Sequence, residues 1–336
     1  MSGDAPARPA IPDLDGLIEQ AVRAPSVLNT QPWRFVVDDG SGPAGDGPAV
    51  RLYADRERQL RALDPAGREL VMSCGAALLY LRLAARHAGW EAEVEPLPDG
   101  GDPDLLAAVA FRPGRRPGGD DRLFRALAAR RTNRRPFTDE PVPFGVAAEL
   151  AGAASAEGAA LRAFTGSDEK DALARLVADG VLAQGADRAV TADLQAWLRP
   201  TGDPRPDGVQ DSAQGMWDRH SSMRTPADDV AEYKSRLVAG APAVLVLSTV
   251  GDGPADWLRA GQALACVLVA AADRGLAASY ANEPVEVEAL RPEVARLVGG
   301  GHPQAVFRVG YPKPEPTSAR RPARDVTTRT AGPPER

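Results

Sequence analysis

The spacing of apolar residues predicts alternating helices and short strands along most of the chain. Leu14, Leu17, Ile18 and Ala21 share one face of a helix over 13–23. Pro25 and Pro32 interrupt any helix beyond it, so 24–32 reads as a loop and 33–37 as a strand. A Gly/Pro-rich loop over 38–48 leads to a short strand at 51–54. A long apolar helix over 64–88 is stopped by Gly89, and β-like runs follow at 91–97 and 105–112. Gly, Pro and like charge cluster at 112–120 (RPGRRPGGD), the best boundary in the chain. It separates a first half, 1–118, from a second half, 119–326, and leaves 327–336 as a disordered tail. In the second half, helical patterns run over 121–131, 144–153, 168–184 and 189–198. A buried strand is expected at 243–250 and another apolar helix at 256–274, ended by Gly275. A helix near 286–298 and a strand at 305–309 follow, and the Pro/Arg-rich segment from Pro312 is expected to wrap over the surface.

The two long helices share a pattern. Gly75, Ala77, Leu78, Leu81, Leu83, Ala84, Ala85 and Gly89 correspond to Gly261, Ala263, Leu264, Val267, Val269, Ala270, Ala271 and Gly275, each pair 186 positions apart. A second echo aligns 24–35 (APSVLNTQPWRF) with 153–164 (AASAEGAALRAF). There Asn29 becomes Gly158, and Gln31, Pro32 and Trp33 become Ala160, Leu161 and Arg162. The second copy keeps the outline of the segment and loses its polar chemistry. The stretch 184–242 has no counterpart in the first half. It is polar, contains a loop-like run over 199–206, and carries Met216, Trp217 and Tyr233. Its two readings are a lid over a site and a peripheral helical insertion.

Composition narrows the chemistry by exclusion. The 336 residues are 43% hydrophobic and 26% charged, the balance of a soluble globular protein. A net charge of −6 gives no basic footprint for nucleic acid. Residues 1–10 lack the apolar core of a secretory signal, and the longest apolar run, 263–272, is too short to span a bilayer, so a cytoplasmic protein without a membrane partner is expected. Cys74 and Cys266 lie in Ala-rich helices and read as buried small hydrophobes. His87, His220 and His302 are isolated and have no metal-ligand spacing. Neither a nucleophile elbow nor a Gly-rich phosphate loop is present.

Four segments can carry chemistry. Pro25, Ser26 and Asn29 lie in a proline-bounded loop. Such residues often satisfy only local backbone groups, but they can also hydrogen-bond a polar heterocycle. Arg130, Arg131, Thr132 and Arg134 read, taken alone, as a helix C-terminus whose cations favour the negative end of the macrodipole. If that helix persists, Arg130 and Arg134 share a face, and forked guanidinium groups there suit a phosphate. Ser279, Tyr280 and Ala281 follow the second long helix in a polar turn. Arg320 and Arg321 belong to the basic C-terminal segment.

The run Pro-Ser-x-x-Asn-x-Gln-Pro-Trp at 25–33 and the run Arg-Arg-Thr-Asn-Arg at 130–134 together resemble the nitroreductase family of flavoproteins. Their order, followed by Gly-Leu-x-Ala-Ser at 275–279 and Arg-Arg-Pro at 320–322, resembles the longer Acg-like branch, in which two nitroreductase-like halves share one chain. The resemblance covers roughly 14–326. It implies an α+β fold of two pseudo-symmetric halves, each a mainly antiparallel sheet flanked by helices. It also implies FMN held by Pro25, Ser26 and Asn29 from one half and by Arg130, Arg131, Thr132 and Arg134 from the other. A backbone N–H from Ser279, Tyr280 or Ala281 would face the flavin N5, and Arg320 and Arg321 would complete the phosphate pocket. With the intact loop in one half and the arginines in the other, one FMN per chain is expected at the seam, and a pseudo-dimer of this kind is compatible with a monomer. The implied activity is NAD(P)H-dependent reduction of a nitroaromatic, a quinone or a similar conjugated small-molecule acceptor, with no catalytic side chain assigned. Two alternatives stand beside it: an FMN-sequestering protein with little turnover, and a flavin-dependent dehydrogenase or oxidase tailoring a small metabolite.

Overall fold

The computed structural model describes residues 12–38, 47–115, 121–210, 226–313 and 318–330. Helix α1 (Leu14–Ala21) buries the four apolar residues that its spacing predicts, and Asp13 caps it by accepting the Gly16 N–H at 3.0 Å. Strands β1 (Trp33–Asp38) and β2 (Ala49–Ala54) follow, then the long helix α2 (Arg68–Ala88) and strands β3 (Trp90–Pro96) and β4 (Leu105–Pro113). Gly89, at φ 88°, ends α2 in the left-handed conformation that glycine adopts without steric cost.

The second half repeats this order. After α3 (Arg122–Ala129) come α4 (Val146–Ala156) and β5 (Ala160–Phe164). An inserted group follows: α5 (Ser167–Ala186), α6 (Arg188–Ala196), the short parallel pair β6 (Leu198–Arg199) and β7 (Val209–Gln210), and α7 (Ala227–Ala239). The chain then resumes with β8 (Ala243–Thr249), α8 (Pro254–Asp273), β9 (Ala277–Tyr280), α9 (Glu283–Glu286), α10 (Arg291–Val298) and β10 (His302–Gly310). A last strand, β11 (Thr327–Arg329), returns to the first half.

Apart from β11, the two sheets share one strand order. The first runs β11-β1-β2-β4-β3 and the second β5-β8-β10-β9. Both are antiparallel apart from the parallel pairing of β11 with β1. The echo of 24–35 in 153–164 therefore places β1 against β5, and the two long helices are α2 and α8. Asn29 and its counterpart Gly158 both hold positive φ, 55° and 77°.

Between the halves, α2 and α8 cross at their glycines. A Cβ on Gly75 would stand 2.2 Å from the Leu258 carbonyl oxygen, and one on Gly261 would stand 2.0 Å from that of Met72. Met72 and Leu258 are themselves 186 positions apart, as are Gly75 and Gly261. Residue 75 meets 258 and residue 72 meets 261, the reciprocity of an isologous two-fold interface, here within one chain. α8 is apolar over its length because most of it is buried at this crossing and against the second sheet.

Several expectations need correction. Thr327–Arg329 is not a disordered tail: it pairs with the open edge of β1, Phe35 opposite Thr327. The helix over 121–131 stops at Ala129, and Arg130 is extended (φ −57°, ψ 127°), so Arg130 and Arg134 do not share a helical face. The insertion without a counterpart begins at α5, near Ser167, rather than at 184, because only 39–48 joins β1 to β2. Met216, Trp217, His220 and the proposed boundary at 118 lie outside the described residues. Cys74 and Cys266 are buried free thiols. Burial pushes both up, Cys266 to about 11, and the Cys74 thiol donates to the Pro32 carbonyl at 3.2 Å.

In a helix interior, Gly→Ala ordinarily stabilises by about 1 kcal/mol. Gly152→Ala in α4, whose Cβ would meet nothing within 4 Å, should follow that rule. Gly261→Ala should reverse the sign and destabilise by about 1–3 kcal/mol, the usual cost of overpacking. Equilibrium urea unfolding of both variants measures the difference.

Candidate functional site

The loop after α1 is held in an uncommon backbone. Leu28, Asn29 and Gln31 have φ of 42°, 55° and 51°, a left-handed conformation that side chains rarely adopt. Hydrogen bonds from both sides fix it. The Ser26 hydroxyl accepts the Gln31 N–H at 2.9 Å, and the Val27 N–H donates to Ser73 Oγ of α2 at 3.1 Å. Gln31 is fully buried. Its Nε2 donates to the Pro206 carbonyl at 2.8 Å, and its Oε1 accepts the Arg321 N–H at 2.8 Å. Asn29 Nδ2 donates to the carbonyls of Gly208 (3.0 Å) and Ala319 (3.2 Å), while its Oδ1 is buried without a partner among the described residues. Asp207 adds ion pairs from Arg58 and from Arg199, the latter at 2.9 Å. The loop thus fastens both the insertion and the C-terminal segment to the first half.

Across the seam, 130–134 runs alongside β9. Thr132 bridges Ala278 in parallel, and the Asn133 N–H donates to the Ala278 carbonyl at 2.8 Å. Arg130 is buried, with Nε donating to Tyr80 Oη at 3.0 Å and Nη1 to Thr132 Oγ1 at 3.4 Å. Arg320 packs close by, donating from Nε to the Ala24 carbonyl at 3.2 Å. Burial, and then Arg130, pushes its guanidinium down to about 9, with Tyr80 opposing and Arg131 and Arg134 adding less. Burial and the neighbouring Arg130 also lower Arg131. Four guanidinium groups therefore act on one another at this end of the seam. Arg321 stands apart. It donates from Nη1 to the Gln31 carbonyl at 3.4 Å and lies 4.0 Å from Asp55.

Between loop and strand lies a cleft of about 270 Å³. Pro25, Ser26, Thr132, Arg134 and the run Ser279, Tyr280 and Ala281 all reach it, so seven of the twelve expected residues converge. Asn29, Arg130, Arg131, Arg320 and Arg321 do not line it. The Asn29 amide hydrogens are taken by protein carbonyls. The Ala281 N–H is also committed, to the Val306 carbonyl at 2.8 Å. Antiparallel alternation turns the Tyr280 N–H to the opposite edge of β9, the edge that Thr132 and Asn133 flank. Burial pushes the Tyr280 phenol up to about 12, with Arg130 opposing.

Some of the cleft was not anticipated. Gln184, Leu194 and Leu198 of the insertion, with Tyr233, Lys234 and Leu237 of α7, form one wall. Arg308 of β10 donates to Ser279 Oγ at 3.1 Å and to the Arg135 carbonyl at 2.8 Å. Its charge inside an otherwise apolar strand was a usable signal. Glu69, Glu283 and Glu286 also line the cleft. Glu69 gave no such signal, because an acidic residue in a first helical turn is ordinary.

No family model matches the chain. Two relatives from Mycobacterium tuberculosis (strain H37Rv) are provisionally named as enzymes. NAD(P)H nitroreductase Rv3131 is 35% identical over 307 residues, covering 87% of this chain and 83% of its own. NAD(P)H nitroreductase acg is 32% identical over 336 residues, covering 92% and 93%. Among solved structures, the FMN-dependent nitroreductase NfnB from Mycobacterium smegmatis in complex with NADPH aligns over 57% of this chain and 88% of its own, with 15% identity and a TM-score of 0.40. Identity to the M. tuberculosis relatives across nearly the full length decides the matter: the chain belongs to the Acg-like branch of the nitroreductase family.

Proposed function

We propose that the protein is an FMN-dependent NAD(P)H oxidoreductase that binds one FMN per chain in the cleft between its halves. The observation that carries this reading is the guanidinium cluster of Arg130, Arg131, Arg134 and Arg320. Burial, and then the charge of the neighbouring Arg130, lowers both Arg320 and Arg131, a cost that a bound dianion would offset. A terminal phosphate fits that chemistry, and the adjoining cleft fits a flat heterocycle between Pro25, Ser26 and the edge of β9. The names of the M. tuberculosis relatives agree with this reading.

When bound, FMN supplies two-electron chemistry, taking hydride from NAD(P)H and passing it to an electron-poor acceptor. The chain's own residues would position it. Arg130 is pre-oriented by Tyr80 and Thr132, so little side-chain freedom is lost when it meets a phosphate. The Tyr280 N–H at the open edge of β9 would donate to the ring, and the Ser26 hydroxyl, already tied to Gln31, would hold the loop against it. α5, α6 and α7 would exclude water from the face opposite the loop. The count of one follows from the repeat. The first half holds the intact loop and the second the arginines, whereas the loop's counterpart carries Gly158 and Ala160 in place of Asn29 and Gln31.

The wall formed by α5, α6 and α7 favours a second reading, an FMN-sequestering protein with little turnover. Mixing the yellow purified protein with NADPH under anaerobic conditions separates the two. Rapid loss of flavin absorbance is expected for the reductase. Colour that persists with NADPH but is lost with dithionite supports sequestration, and a protein that takes up no FMN overturns both. Arg130→Ala and Arg134→Ala should each weaken FMN binding by about 1.5–3 kcal/mol, the range for hydrogen bonds to charged groups. Fluorescence titration of FMN into the apoprotein measures this, and parental affinity in both variants would refute the phosphate assignment.

A further inference from the structure

Past the end of β9 the cleft changes sign. Three carboxylates gather there: Glu69 from the first turn of α2, and Glu283 and Glu286 from α9. Glu69 is 5% exposed and Glu283 6%, and each leaves its Oε2 without a hydrogen-bond donor among the described residues. The remaining oxygens are engaged. Asn282 Nδ2 donates to Glu69 Oε1 at 2.9 Å, Gln184 Nε2 donates to Glu286 Oε2 at 2.6 Å, and Lys234 pairs with Glu283 Oε1. Arg68, 3.5 Å from Glu69, aims its guanidinium at the carbonyls of Gln304 (2.6 Å) and Val285 (3.1 Å). Asp64 adds a further negative charge beside Glu69.

Four carboxylates thus face two cations, Arg68 and Lys234, and the remaining cations of the cleft, Arg134 and Arg308, belong to the basic end near Thr132. Burial, then repulsion from Glu69 and Glu283, holds Glu286 well above the usual carboxyl range. Burial also raises Glu69. A single proton shared by Glu69 and Glu286 would relieve that pair and leave Glu283 Oε2 bare. An ammonium group has three donors and can meet all three carboxylates at once. Leu28, Leu63, Met72 and Leu264 line the cleft as well, a surface for an apolar body behind that charge.

We infer that the acidic wall is a subsite for an ammonium group, and that the acceptor taken by this cleft is a conjugated compound bearing a positively charged amine. Its role as an electron acceptor rests on the FMN reading; the binding of the cation does not. The amine binds the ionised cluster, so its binding tightens as pH rises from the ordinary glutamate value of 4.5 through the raised Glu286 range.

The test uses 4-nitrobenzylamine, 4-nitrobenzyl alcohol and 4-nitrobenzoate, titrated calorimetrically into the FMN-loaded protein at neutral pH. The amine should bind about tenfold or more tighter than the alcohol, as a charge-assisted contact requires, and the benzoate weakest. Glu286→Gln and Glu69→Gln keep the shape of each side chain and should bring the amine-to-alcohol ratio toward one. Equal affinity for amine and alcohol in the parent protein, which requires no variant to fold, overturns the inference. So does a ratio that both variants leave intact. If the protein takes up no FMN, the flavin reading fails on its own, and the same three titrations on the FMN-free protein still decide the cation site.

Discussion

Everything at the seam depends on how closely α2 and α8 approach. With no Cβ at Gly75 or Gly261, each helix rests on the other's backbone carbonyls, and the two halves meet at a distance that no larger residue permits. That approach places Tyr80, one helical turn and more beyond Gly75, against Arg130 of the other half. A helix pair spread by an ångström would separate the loop from the arginines, and the cleft belongs to both. The symmetry of the crossing also explains why the fold tolerates asymmetry elsewhere. The reciprocal contact holds the halves together, so 153–164 can lose its polar residues and the second half can accept α5, α6 and α7 without changing the interface.

The strained loop is stable because its polar side chains point away from the cleft as often as toward it. Asn29 and Gln31 bind the backbone of 206–208 and 319–321, so the insertion and the C-terminal segment close over the residues whose φ is unfavourable. β11 completes this tie by pairing with β1, the strand that leaves the loop. The motif at 25–33 therefore serves two ends: Pro25 and Ser26 face the cleft, while Asn29 and Gln31 hold the cover in place.

What the sequence made legible follows from this division. The long helices, β8 and the repeat could be read because apolar periodicity and a constant offset survive in single residues. β11 could not, since Thr327, Thr328 and Arg329 carry no strand pattern and pair only because β1 has an open edge. The end of α3 was misjudged for a related reason. Arg130–Arg134 is compatible with a helix locally, and the bridge from Thr132 to Ala278, 146 residues away, draws it out. Ser26, Thr132 and Tyr280, which line the cleft, were singled out from their motifs, whereas the acidic wall was not. Its carboxylates come from two separate helices, and a glutamate in a first helical turn reads as a complement to the helix dipole until its burial is known.

The cleft that results is bipolar. Arginines gather where 130–134 meets β9, and carboxylates gather where β9 passes into α9, so clusters of opposite charge lie toward the two ends of a four-residue strand. Burial makes each imbalance costly, more so for Glu69 and Glu283, whose bare oxygens lie out of reach of bulk water. Charge concentrated in this way is poor design for stability alone, since apolar residues of similar size would pack the seam at lower cost. Two opposite, uncompensated poles on one cleft instead fit two ligands of opposite charge meeting at their uncharged ends, with β9 as the edge along which they are brought together.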